Sequence, residues 1–203
     1  GVLFGWGSEK TRARGRFHFA KAAEALPAGT YHIESGLSQT EQDEAAFAWL
    51  LAAYRFDRYK KSSPAKALLK APAGVDSTQL EAVIAGEFLA RDLINTPASD
   101  MGPADLEQAF LDLAARHGAQ AKVIRGDDLL AQNFPMIHAV GRASDQPPRL
   151  LDMVWGKDSD PKVTLVGKGV CFDTGGLDLK PSTSMALMKK DMGGAATVMG
   201  LAQ

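Results

Sequence analysis

The sequence predicts an α/β fold with a partly parallel sheet. Three observations carry that expectation. Apolar residues recur at helical spacing behind capping boxes, and short apolar runs of strand composition separate those helices. A further apolar run at 163–167 has a buried-strand pattern and leads directly into a glycine-rich segment.

Taken in order, residues 1–7 are short and apolar, and a turn-rich basic stretch follows. Residues 17–26 read as a helix stopped by Pro27 and Gly29. Residues 30–34, with Tyr31 and Ile33, have strand composition. Ser38-Gln39-Thr40-Glu41 matches a capping box, in which Ser38 caps the helix start and Glu41 bonds back. The helix it opens carries Phe47, Leu50, Leu51 and Tyr54 at helical spacing, and residues 54–59 alternate polar with aromatic as a candidate strand. Pro72-Ala73-Gly74 marks an expected boundary, dividing residues 1–75 from 76–203.

Thr78-Gln79-Leu80-Glu81 is a second capping box, opening a helix to about Leu93 with Leu80, Val83, Ile84 and Phe88 on its apolar side. Asn95-Thr96-Pro97-Ala98 breaks it, because Pro97 disfavours helical geometry at Thr96. Pro103 restarts a helix whose face is Leu106, Phe110 and Leu113, ending at His117-Gly118. A short strand at 122–124, a helix near 127–132, and strands near 137–140, 150–155 and 163–167 complete the expected order.

Composition narrows the classes. Hydrophobic residues make up 45% and charged residues 23%, which excludes a disordered chain. A single cysteine excludes an internal disulfide framework and points to a reducing, cytoplasmic setting. The longest apolar run, residues 45–54, is about half the ~20 residues a membrane span needs, and no secretory signal opens the sequence. The net charge of -1 hides a split, with 11 Lys/Arg against 7 Asp/Glu in residues 1–75 and 12 against 17 in the remainder. Lys10, Arg12, Arg14 and Arg16 form the densest basic run. Four cations without interleaved aromatics are a weak nucleic-acid footprint, so a solvated face or subunit contact is the preferred reading.

Chemistry concentrates beyond residue 163. Lys168, Asp173, Lys180 and Asp191 lie among Gly167, Gly169, Gly175-Gly176 and Gly193-Gly194. Loops at the carboxyl end of sheet strands are where α/β folds place ligands, and glycine lets the backbone approach them closely. Two carboxylates can share divalent cations, a lysine amine can ligate when neutral, and a protonated lysine can stabilise an oxyanion. Ordinary ion pairs around a glycine-rich turn are the competing reading of the same four residues.

Other motifs fail. Lys162 occupies the first-glycine position of a phosphate-cradling loop, and Phe172 stands where the third glycine of GxGxxG belongs. Asp173-Thr174-Gly175 resembles the aspartic-protease turn, but that site needs an all-β setting. His18, His32, His117 and His138 never fall at a three- or four-residue spacing, which leaves a histidine zinc site unsupported. Cys171 has no nearby histidine and reads as a small buried hydrophobe.

The run from Val166-Gly167-Lys168-Gly169 through Phe172-Asp173-Thr174-Gly175-Gly176 to Leu179-Lys180-Pro181-Ser182 strongly resembles the signature of leucyl (cytosol) aminopeptidases. Met188-Lys189-Lys190-Asp191-Met192-Gly193-Gly194 resembles the family's next block. Ala90-Arg91-Asp92-Leu93-Ile94-Asn95-Thr96-Pro97-Ala98 looks like the opening of its catalytic domain, and Ala139-Val140-Gly141-Arg142-Ala143-Ser144 is also family-like.

The resemblance implies a metal-dependent exopeptidase using two divalent ions, manganese or zinc, on peptide substrates. Lys168 would be a neutral-amine ligand, Asp173 would bridge the two ions, and Asp191 would be a further ligand. Lys180 would polarise the scissile carbonyl, and Met188 would line the pocket for a leucine-like first residue, with core packing as the alternative for Met188. It also implies a homohexamer, with residues 1–75 as the latter part of a small N-terminal α/β domain. Residues 76–203 would then be a linker helix and the first part of a mixed-sheet catalytic domain. The family's Asn-Thr-Asp-Ala-Glu-Gly-Arg block, which supplies further ligands, does not occur in this sequence. The chain is therefore expected to be an interior portion that is inactive by itself. A non-catalytic homologue acting in assembly or DNA binding is the alternative, disfavoured by retention of all four charged residues.

Overall fold

The computed structural model describes residues 1–34 and 36–203. Two compact units, Gly1–Phe88 and Leu89–Gln203, divide inside a long helix, whereas the boundary expected at 75/76 lies just ahead of that helix. Among the described residues no helix is long and apolar enough to cross a membrane.

In the first unit, α1 (Glu9–Arg12) and α2 (Ala20–Ala25) precede β1 (Gly29–Tyr31), α3 (Gln39–Ala52) and β2 (Ala67–Leu69). The Ser38 capping box forms as expected: Ser38 Oγ accepts from the Glu41 N–H, and the Glu41 carboxylate accepts from the Ser38 N–H. β1 and β2 pair in parallel, Gly29 opposite Ala67 and Tyr31 opposite Leu69, with α3 in the crossover between them. Trp49 of α3 closes the small core with Ala22 and Ala67, and its indole N–H donates to the Ala67 carbonyl at 2.9 Å. Within the basic run, Arg12 lies over the Trp6 ring and Arg16 pairs with Glu44.

Two expectations for this unit change. Residues 54–59 form no strand, and the strand beside β1 is the three-residue Ala67–Leu69, too short to show alternation. The long helix α4 (Ser77–Asn95) starts earlier than its second capping box suggests. Asp76 caps it, its Oδ1 accepting from the Gln79 N–H at 3.0 Å.

The second unit continues with α5 (Pro103–Arg116), β3 (Gln120–Arg125), α6 (Asp128–Ala131), α7 (Pro135–Gly141) and β4 (Arg149–Val154). After a long irregular stretch come α8 (Ser182–Met185), a 3₁₀ turn (Met188–Met192) and α9 (Gly193–Ala202). β3 and β4 are antiparallel, running from Gln120 opposite Val154 to Arg125 opposite Arg149. The mixed α/β class stands, but among the described residues the sheets are small: one parallel pair and one antiparallel pair.

Residues 137–140 belong to helix α7 rather than a strand. Pro135 at its first turn presets helical φ, and a run of four residues, three of them apolar, is too short for periodicity to separate the two structures. Residues 163–167 have strand composition without a strand: Val163 is 83% and Val166 87% exposed, and among the described residues β3 and β4 pair only with each other. Strand composition becomes a strand only where a neighbouring backbone offers its hydrogen bonds.

The core of this unit gathers Ala90 and Leu93 from α4, Leu106 and Leu113 from α5, and Met192, Ala196 and Met199 from the turn and α9. Beside it the buried carboxylate of Glu107 accepts hydrogen bonds from Arg125 on β3 and Arg149 on β4, tying α5 to both strands. The Arg125 hydrogen bond, aided by Arg149, holds the Glu107 carboxyl below its ordinary value of 4.5 against the opposing effect of burial. A depressed folded value means that the stabilisation is present above the ordinary carboxylate range and is lost as pH falls through the folded value. Glu107→Gln leaves two arginines facing a neutral amide, and the expected cost near pH 7 is about 3 kcal/mol. Urea denaturation at several pH values checks this: wild type loses its advantage over the variant on acidification below 4.5.

Candidate active site

The site begins where two backbones touch. A Cβ on Gly167 would lie 2.6 Å from the Gly194 carbonyl oxygen and 2.7 Å from Ala195 Cα, and one on Gly194 would lie 2.9 Å from the Lys168 nitrogen. Only glycine permits that approach, across which the Ala195 N–H donates to the Lys168 carbonyl at 2.8 Å. Lys168 is thereby held beside the 3₁₀ turn. Its Nζ donates to the Asp191 carbonyl at 2.9 Å and forms an ion pair with Asp191 Oδ1.

The second half lies in the loop from Asp173 to Lys180. Gly175, at φ +91, turns the chain so that its N–H donates to Asp173 Oδ1 at 2.8 Å. The Lys180 N–H donates to the Thr174 carbonyl and closes the loop. Lys180 Nζ then reaches Asp173 Oδ2 at 2.8 Å and Met188 Sδ at 3.1 Å. The Lys180 hydrogen bond, then the Gly175 N–H, lowers the Asp173 carboxyl below its ordinary range, and the Lys168 charge adds to the effect. That last influence links the two halves electrostatically.

The five candidate ligand, catalytic and pocket residues therefore lie in two clusters: Lys168 with Asp191, and Lys180 with Asp173 and Met188. Both are lysine–carboxylate pairs. Among the described residues no three His, Cys, Asp or Glu gather as a metal-holding group. Cys171 is half-buried against the core, and burial pushes its thiol up to about 11, so it behaves as a packed hydrophobe rather than a nucleophile. Sequence reasoning missed Lys189, whose Nζ reaches two carbonyls at the end of α4. No local pattern signals a contact across so much chain.

The donor set suits a divalent cation. Asp191 Oδ2 is buried and accepts no hydrogen bond from the described residues, which leaves one side of the carboxylate open while Oδ1 pairs with Lys168. Asp173 offers carboxylate oxygens held ionised, and hard oxygen donors are what such ions favour.

Residues 88–203 match the model of the cytosol aminopeptidase family, catalytic domain, and residues 2–72 match that of the M17 aminopeptidase N-terminal domain. The chain belongs to the cytosol aminopeptidase family. It is 34% identical to a probable cytosol aminopeptidase 1 of Shewanella oneidensis, over 98% of this chain and 43% of that protein. The cytosol aminopeptidase structure from Coxiella burnetii superposes with a TM-score of 0.85 at 44% identity, covering 92% of this chain and 41% of that one. The bottromycin maturation enzyme BotP in complex with Mn superposes at 0.78 with 35% identity, covering 92% and 43%. The chain thus spans about two fifths of the length of these family members.

The contact at Gly167 makes a direct prediction. Gly167→Ala forces two backbones apart and is expected to cost about 1–3 kcal/mol. Gly169→Ala, whose Cβ would meet Ala195 Cβ and Leu106 Cδ2 at an ordinary 3.4 Å, is the near-neutral comparison in urea denaturation.

Proposed function

We propose that this chain supplies part of the active site of a metal-dependent aminopeptidase that removes N-terminal residues, leucine-like ones preferentially, from peptides. The observation that carries the reading is the pairing of Lys168 with Asp191, and of Lys180 with Asp173 and Met188, within the segment that matches the family's catalytic domain. Asp173, Asp191 and Lys168, the last only once its amine has given up its proton and left the Asp191 ion pair, are the proposed ligands of two divalent ions, manganese or zinc. Such ions, when bound, polarise a carbonyl and make a water acidic enough to ionise near neutral pH.

The chain's own residues do the rest. In this reading Lys180, anchored to Asp173 at 2.8 Å, would donate to the carbonyl oxygen on which charge develops. Met188 lies 3.1 Å from that ammonium, so an apolar, adaptable wall for the first side chain adjoins the group that polarises the carbonyl. Asp173, held ionised by Lys180 and the Gly175 N–H, remains a carboxylate under mildly acidic conditions.

The remaining ligands would come from the Asn-Thr-Asp-Ala-Glu-Gly-Arg block absent from this sequence. In this reading residues 1–75 close a small N-terminal domain and 76–203 open the catalytic one. The assembled enzyme is a cytoplasmic homohexamer.

The test has two arms. Mn²⁺ titration of the 203-residue chain, followed by electron paramagnetic resonance, is expected to show binding that Asp191→Asn and Asp173→Asn each weaken. Absence of any such binding overturns the ligand assignment. Leucine p-nitroanilide is expected to resist the chain alone but to be cleaved once the chain is joined to a block-bearing segment. In that joined protein Lys180→Ala is expected to lower kcat about 10²-fold or more. Cleavage by the chain alone that Lys180→Ala abolishes overturns the partial-site reading.

A further inference from the structure

The 3₁₀ turn Met188–Met192 sends its side chains in different directions. Met188 accepts from Lys180, and Asp191 pairs with Lys168. Met192 is fully buried in the cluster that includes Ala90 and Leu93 of α4. Lys189 turns toward the end of that same helix, where its Nζ donates to the Ile94 carbonyl at 3.1 Å and the Asn95 carbonyl at 3.2 Å.

Those carbonyls are not ordinary acceptors. The last four of a helix lack intrahelical donors and carry the negative end of its dipole, so a cation there is favoured on both counts. The Thr96 N–H still reaches the Asp92 carbonyl at 3.1 Å, but Pro97 has no N–H and ends the helix there. The turn is therefore fastened to α4 twice, through Met192 in the core and through Lys189 at the helix end. Asp191 lies between the two fastenings and Met188 directly before the first. Lys190, the next residue, is exposed and enters none of these contacts.

We propose that Lys189 is a positioning residue for the active site: by capping the C-terminus of α4 it fixes the 3₁₀ turn that presents Met188 and Asp191. The inference rests on the reading of Asp191 as a metal ligand. It assigns Lys189 no contact with substrate or metal. Outer partners that orient a ligand commonly change metal affinity by about 10–100-fold when removed.

The test compares Lys189→Met, which keeps the stem and removes the charge, with Lys189→Arg and Lys190→Met in the 203-residue chain. The readouts are amide hydrogen exchange across residues 188–192, Mn²⁺ affinity by electron paramagnetic resonance, and the urea midpoint. Lys189→Met is expected to speed exchange in the turn and to weaken Mn²⁺ binding about 10-fold or more. Lys189→Arg restores both, and Lys190→Met matches wild type. The proposal is overturned if Lys189→Met keeps wild-type exchange and affinity, if it lowers only the urea midpoint, or if the arginine variant is as damaged as the methionine one. Should Lys189→Met fail to fold, the arginine variant against wild type decides. If Asp191→Asn leaves Mn²⁺ binding untouched, the ligand reading fails separately, and exchange across 188–192 still decides the role of Lys189.

Discussion

The approach of the backbone at Gly167 and Lys168 to that at Gly194 and Ala195 is the constraint on which the site depends. Neither glycine has room for a Cβ, and the Ala195 N–H to Lys168 carbonyl hydrogen bond spans the gap. It joins the irregular stretch after β4 to the start of α9 and sets the height at which Lys168 leaves the backbone. Once that height is set, the Asp191 carboxylate, one residue before Met192 in the core, is the partner within reach. A larger residue at either glycine would move a ligand candidate without altering any charged group.

The charged residues build on that frame as two pairs rather than one cluster. Lys168–Asp191 holds the 3₁₀ turn to the glycine-rich backbone, and Lys180–Asp173 closes the loop that Gly175 begins. Among the described residues the pairing leaves the buried oxygen Asp191 Oδ2 without a donor. The other oxygen of that carboxylate pairs with Lys168, so the ion pair compensates the burial only on one side. Met188 carries the apolar side of the same site to within 3.1 Å of the Lys180 ammonium.

Local signals in the sequence were legible where a few neighbouring residues suffice. Ser38 and Glu41 formed their box, Pro103 opened α5, His117-Gly118 closed it, and the runs around residues 122 and 152 became β3 and β4. Two of the failures share a cause. Residues 137–140 and 163–167 have strand composition, but composition records only that a segment suits a pleated, half-buried surface. The first was taken by a helix that Pro135 starts, and the second found no neighbour among the described strands. Ala67–Leu69, with little local signal, became a strand because β1 lies beside it.

By itself, the sequence determined the helices with their own caps, the mixed α/β class and the identity of Lys168, Asp173, Lys180, Met188 and Asp191 as the candidate site. Caps and turns are made by residues within a few positions of one another, and a motif is a matter of side-chain chemistry at fixed spacing. Tertiary structure alone decided which lysine meets which aspartate, that Lys189 reaches back across 95 residues to the Ile94 carbonyl, and that Gly167 must remain bare. Those are contacts between backbones and charges distant in sequence, and they exist only once the core of Leu93, Leu106 and Met192 has brought their elements together.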